Sequence, residues 1–335
     1  MSTNEHLENA IELKEVEGLS QGQIVRRRFF RHRGALVGLF ILISIALLAA
    51  TSIGWGPIPG WFAMGPNERG PVLNLRGAPT LTVFGEGGPS LGEHPFGQDE
   101  LGRDIFARTM KGVQTSLSVM TVIGLVAGFM GIIMGSLSGY FRGRTDTVLM
   151  RFTDLVITVP IIVIGAVLGK LLGAANPVPL AIALGLVSWT GLARLVRGDF
   201  LSLREREFVD AARVAGASHL RIIFKHMLPN AIGVIIVNTT LLMSAAILLE
   251  TALAYLGFGI TPPNISLGQM INEYQGAFNT RPWLFWFPGM FIILIALSVN
   301  FIGDGLRDAF DPRQRRIPSA RKMRRAEARA ARRAE

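Results

Sequence analysis

An all-α membrane protein with six transmembrane helices is the fold class this sequence predicts, and three observations predict it. Half of its 335 residues are hydrophobic and the mean hydropathy is +0.40, above what ordinary soluble domains carry. The charges are gathered into blocks, leaving runs without Asp, Glu, Lys or Arg at 34–67, 112–141, 171–193, 226–249 and 282–303. Each run holds the roughly 20 apolar residues that cross a bilayer. A sixth, 155–169, reaches spanning length if Arg151 and Lys170 snorkel to the two interfaces. The third observation is where the basic residues fall. With the amino terminus inside, the inner segments carry the Arg26–Arg33 cluster, Arg142, Arg144, Arg151, the cations from Arg194 to Lys225 and those from Arg307 onward. The outer segments carry far fewer, so the positive-inside rule puts both termini in the cytoplasm.

The same composition narrows the chemistry. Cysteine is absent, which removes disulfides and thiolates from the design. The five histidines are scattered, with no ligand spacing for zinc. The formal charge of +10 follows topology rather than forming a nucleic-acid face. No nucleophile with a base, paired carboxylates or metal cluster is visible, so a non-catalytic chain is expected. The nearest approach to a phosphate loop, GAVLGKL from Gly165, has three residues between its glycines where four are needed. Leu171 stands where Ser or Thr should hold magnesium. No cofactor is expected on this chain, and any ATP and magnesium would belong to another.

In chain order, 1–33 is a cytoplasmic segment whose glutamates, Glu5 to Glu17, are spaced for a short surface helix. The first span, 34–54, reads as an uncleaved signal anchor. An outer segment, 55–111, rich in Gly and Pro, places Trp55 and Trp61 at the interfacial belt. It ends in HPFGQDELGRD, where His94, Asp99, Glu100 and Asp104 could suggest a metal site. Glycines 97 and 102 with the Asp/Arg pairs describe instead a hydrogen-bonded turn entering a helix. A core follows over 112–305. Its second span, 116–140, carries Gly124, Gly128, Gly131, Gly135 and Gly139, spacing that suits close helix packing. Pro160 is expected to kink the third span, 152–172, and the fourth runs 180–195. The fifth, 231–256, holds Glu250 near its outer end, a depth where a carboxylate is costly unless it meets water or a partner. Both a path-lining and a solvent-facing role remain open for it. An amphipathic stretch, 267–278, should lie on or dip into the outer surface. The sixth span, 284–302, precedes a basic tail, 306–335, suited to anionic lipid or to solvated disorder rather than to RNA.

The chain is organised around a polar stretch between the fourth and fifth spans, EREFVDAARVAGASHLRIIFKHMLPN at 205–230. Ser202 with Glu205 fits a capping box, and Phe208, Ala211, Ala212 and Ala215 then recur as one small apolar face. Gly216 ends that helix in a left-handed turn, and Ser218 caps a second. There Leu220, Ile223, Phe224 and Met227 form a stripe until Pro229 disrupts it. Two short helices joined at a glycine and ringed by charge suit a knob seated in a partner's cleft. They also fit a DNA-reading motif, which the flanking spans argue against.

DAARVAGASHLRIIFKHMLPN resembles the EAA loop of ABC importer permeases: Glu-Ala-Ala, three residues, Gly, nine residues, Ile, one residue, Leu-Pro. Asp210, Ala211, Ala212, Gly216, Leu228 and Pro229 fall on that pattern, with Asp210 replacing Glu and His226 at the Ile position. HPFGQDELGRD, GYFRGRTDTVLMRFTDLVITVP, ETALAYLGFGITPP and GDGLRDAFDPR are similar to the C-type permease subunit of bacterial oligopeptide and dipeptide importers. The resemblance covers about 26–313 and implies a type I importer transmembrane domain with an EAA loop at 196–230. It implies a B-type permease as heterodimer partner, two ABC ATPases that use ATP and magnesium, and an extracytoplasmic binding protein delivering peptide. Glu207, Asp210, Ala211, Ala212, Gly216, Leu228 and Pro229 would then meet the ATPase. Related permeases import nickel or other small solutes, and a stand-alone secondary transporter is the alternative of a different class. Such a transporter would show inverted repeats and ionisable groups near the bilayer midplane, which this sequence lacks apart from Glu250.

Overall fold

The computed structural model describes residues 20–82, 88, 90–172 and 176–311, so the acidic helix expected near the amino terminus and the basic tail beyond 311 lie outside the described residues. Its helices are α1 (Gln21–Phe29), α2 (Arg33–Ser52), α3 (Ile105–Phe141), α4 (Gly143–Thr158), α5 (Ile161–Leu172), α6 (Pro177–Ser188), α7 (Thr190–Arg204) and α8 (Glu207–Val214). They continue with α9 (His219–Tyr255), α10 (Leu267–Tyr274) and α11 (Trp283–Phe310). No strand forms among the described residues, only isolated bridges.

Four helices, α2, α3, α9 and α11, are each long and apolar enough to cross a membrane. Two further helix pairs reach that length and apolarity only when each is taken together, α4 with α5 bent by 76° and α6 with α7 by 43°, which makes up to six spans among the described residues. The first bend falls at Val159 and Pro160, where the proline removes a backbone donor and crowds the preceding turn. The second, at Trp189, has no proline and was not expected. There Trp189 is 1% exposed, and its indole donates to Leu186 O and stacks on Phe152 of α4.

α3 is the axis of the fold. It starts at Ile105, well before the expected 116, because Asp104 caps it by accepting from Ala107 N at 2.7 Å. At about 1.5 Å per residue its 37 residues span roughly 55 Å, far more than a hydrocarbon core of about 30 Å. Part of its length therefore stands clear of the apolar layer. Its glycines divide between two neighbours. A Cβ on Gly124 or Gly128 would meet Met243 or Thr239 of α9, whereas on Gly131, Gly135 or Gly139 it would meet Leu192, Ala193 O or Phe200 of α7. The spacing thus brings two helices against α3, each on its own face.

The turn ahead of α3 is hydrogen-bonded, as expected. Gly97 and Gly102 have φ of +83° and +71°, Asp99 Oδ1 accepts from Leu101 N and Arg103 N, and His94 Nδ1 lies 2.7 Å from Asp104 Oδ2. The stretch at 267–278 dips into the chain over its first half, while Gln275, Gly276 and Phe278 stay exposed. In that first half Leu267, Met270, Ile271 and Tyr274 are buried, and α10 is wedged between α3, α9 and α11. Glycine permits this, since a Cβ on Gly112 or Gly268 would strike the backbone at Leu267 or Thr251. Arg103 and Arg108 of the α3 end both pair with Glu273 of α10 and hold it there.

Candidate functional site

The stretch at 205–230 folds as a short helix, a glycine turn and the start of α9. Its first cap is not the one expected. Ser202 lies inside α7, which runs unbroken from Thr190 to Arg204, and Glu205 pairs with Arg142 at 2.5 Å. The capping-box pattern matched one turn too early, because α7 is extended by packing on α3 rather than by its own end signals. α8 opens at Arg206 without a side-chain cap.

Gly216 takes a φ of +77° and Ser218 Oγ accepts from Arg221 N, so the turn and the second cap are as expected. Pro229 does not end the following helix. The segment Ile222–Met227 is a π turn, and α9 continues through Leu228 and Pro229 to Tyr255. A wider turn ahead of the proline absorbs its missing donor and its ring.

The faces also differ from the periodic reading. Val209, 0% exposed, is the residue of α8 driven inward, with Ala212 beside it, against Tyr140, Phe200, Ile222 and Ile223. Phe208, Ala211 and Ala215 point outward instead. In the second stripe Ile223 and Met227 are buried while Leu220 and Phe224 are exposed. The outcome is an apolar surface facing away from the chain, in which Val214 is 90% and Leu220 61% exposed. Glu207, Asp210, Arg213, Arg221 and Lys225 surround it, all exposed, with Asp210 paired to Arg213 at 2.9 Å. Nothing lies within 4 Å of a Cβ built on Gly216, and Leu228 is half-buried while Pro229 is exposed at the head of the span.

The element is fastened firmly to the spans. The Tyr140 hydroxyl at the end of α3 lies 2.8 Å from His219 Nδ1, and Arg204 donates to Tyr140 O at 2.7 Å. Arg197 of α7 grips Asp146 of α4 with two hydrogen bonds of 2.6 and 2.7 Å. α8 itself meets α3, α7 and α9 through Val209, which packs with Tyr140, Phe200, Ile222 and Ile223. Sequence reasoning missed Tyr140 and the Asp146–Arg197 pair, which are distant in sequence and carry no local pattern.

Glu250 is enclosed by the chain. It is 1% exposed, accepts from Ser116 Oγ at 3.4 Å and leaves Oε1 without a partner. Ser116 Oγ in turn accepts from Leu267 N at the head of α10. In the isolated chain the carboxyl does not face solvent; it lies where α3, α9 and α10 meet.

Comparison with known proteins agrees with this architecture. The family model for the binding-protein-dependent transport system inner membrane component matches residues 99–316, and that for the N-terminal TM domain of oligopeptide transport permease C matches 20–63. The chain is 37% identical over 311 residues to the oligopeptide transport system permease protein OppC of Haemophilus influenzae, covering 93% of this chain and 94% of that one. It is 38% identical over 312 residues to OppC of Escherichia coli K12, covering 93% and 98%. Among solved structures, an inward-facing conformation of the MetNI methionine ABC transporter superposes with a TM-score of 0.50 at 17% identity, covering 61% of this chain and 96% of that one. That likeness concerns the fold.

Proposed function

The chain belongs to the family of binding-protein-dependent transport system inner membrane components, as a multi-pass permease subunit of an ABC importer, and from that premise we propose that α8 and its glycine turn are the coupling element. The cargo proposed is an oligopeptide or dipeptide, in keeping with the oligopeptide permeases it resembles. A B-type permease completes the path as heterodimer partner, and an extracytoplasmic binding protein delivers the peptide. Two ATPase chains hold ATP and magnesium, and the groove of one of them receives Val214, Leu220 and Phe224. Glu207, Asp210, Ala211, Ala212, Gly216, Leu228 and Pro229 are the residues assigned to that contact or to its support. Closure of the ATPases then moves α8, and the fastenings at Tyr140 and Arg197 carry the motion into the spans.

One observation carries this reading: an apolar surface held rigidly outward, on an element fixed to three spanning helices. Large apolar side chains left in water are costly, and when clustered with a charged rim they mark a protein contact. The chain has no cysteine, so Val214→Cys makes a clean probe. With both termini cytoplasmic, a membrane-impermeant maleimide should label Cys at 214 in inside-out vesicles and not in intact cells. Bound ATPase should protect it. Labelling from outside, or no protection, defeats the assignment.

Glu250 is assigned to the path through α10, whose first turn it underlies, rather than by touching cargo. Glu250→Gln should change the kinetics of peptide uptake while ATPase co-purification stays normal. Uptake kinetics identical to the wild type would remove the residue from the path.

A further inference from the structure

The outer half of α3 carries a second, unassigned set of polar groups. Lys111, Thr115 and Ser118 follow one another at spacings of four and three, which places them on one helix face. Lys111 is exposed, and Thr115 and Ser118 are half-buried. The Thr115 and Ser118 hydroxyls each bond a backbone carbonyl of the preceding turn, so this face can meet water or a polar ligand at little cost. It lines a cavity of about 230 Å³ whose other walls include Trp55, Val178 and Asn264.

Elsewhere in the outer segments Arg103, Arg108 and Arg281 are each paired, with Asp99 and Glu273, with Glu273, and with Glu100. Lys111 has no carboxylate partner among the described residues; its Nζ reaches only Gln114 Oε1, at 3.5 Å. Gln114 is itself pinned, donating to Ala49 O at 2.7 Å and Gly54 O at 2.8 Å, so it holds the ammonium at the cavity without cancelling its charge. Asn264 keeps its amide nitrogen buried without a hydrogen-bond partner, a state that a ligand acceptor would relieve after rotation of the side chain. The Thr115 and Ser118 hydroxyls donate back to Lys111 O and Gln114 O, leaving their oxygens free to accept.

An ammonium with no carboxylate partner, an unused amide donor and an apolar wall match the end of a peptide that bears a free carboxylate. The volume is below that of a pocket for a whole drug-sized ligand, about 300 Å³ or more, and suits one terminal residue. We propose that this cavity is a subsite of the translocation path for the C-terminal residue of the peptide. Lys111 takes the carboxylate, Asn264 the preceding carbonyl, and Trp55 and Val178 flank the side chain. This rests on the peptide-importer reading.

The test uses the whole importer, this chain with its partner permease, ATPases and binding protein, reconstituted in liposomes. Uptake of one radiolabelled tripeptide is compared with uptake of the same tripeptide amidated at its C-terminus. Each variant is referred to the wild type on the same peptide, so the preference of the binding protein cancels. Lys111→Met should lower uptake of the free acid about tenfold, the effect of one lost hydrogen bond to a charged group. It should leave the amide unchanged, and Lys111→Arg should restore most of the loss. Asn264→Leu should lower both. Equal effects of Lys111→Met on the two peptides, or none, overturn the subsite while the importer reading stands. So does a loss that follows the anionic lipid content of the liposomes, which would assign the cavity to a headgroup. If the wild-type assembly takes up neither peptide, the peptide reading itself falls and the subsite with it.

Discussion

Val214→Asp should abolish ATP-driven uptake by the assembled importer while leaving the chain folded and inserted. Val214 is 90% exposed, so the substitution removes no internal contact, and a carboxylate in water costs this chain little. In the proposed complex the same side chain enters an apolar groove, where an unpaired carboxylate is penalised by several kcal/mol. Even about 3 kcal/mol would weaken docking roughly a hundredfold. Co-purification of ATPase should be lost, along with transport, while the yield of the chain in membranes stays normal. Gly216→Leu should act in the same direction for two reasons. Its φ of +77° strains any side chain by about 1–2 kcal/mol, and the open space around it is where the partner is proposed to lie. Normal uptake with ATPase still bound to Val214→Asp would end the coupling assignment.

The second large effect lies inside the chain. Gly135→Leu should prevent α3 and α7 from packing and leave little folded protein. A Cβ at 135 already falls 2.5 Å from Ala193 O and 2.7 Å from Val196 Cβ. Neither atom is the end of a flexible side chain, so the helices have to separate. Overpacking of this kind ordinarily costs about 1–3 kcal/mol, and a leucine here adds three more carbons to a contact that has no room for the first. Because α7 and α3 both hold α8, Gly135→Ala should already reduce transport in whatever folds. Gly124→Ala is the comparison: its added methyl meets the Met243 side chain and no backbone atom, so a change of rotamer can make room and thermal stability should change less. Equal losses at 124 and 135, measured by thermal unfolding in detergent, would refute the distinction.

The motif residues were legible in the sequence because their demands are local. Gly216 announces a left-handed turn, Ser218 a cap, and Gly97 with Gly102 a tight turn, each readable from a residue and its immediate neighbours. The outward face of 207–227 was not legible. Phe208, Ala211 and Ala215 were as plausible a core face as Val209 with Ala212, and the choice came from Tyr140 and Phe200, which reach α8 from other helices. The broken span at Trp189 and the enclosure of Glu250 escaped for the same reason.

By itself the sequence determined how many apolar runs the chain contains, where the polar stretch interrupts them, and which glycines form tight turns. Those follow from length, charge and backbone sterics along a short piece of chain. Only the tertiary structure decided which apolar residues meet protein and which are left outward, because a side chain that suits lipid suits a helix neighbour equally well. Hydropathy does not separate the two environments, and only the path of the backbone through space does.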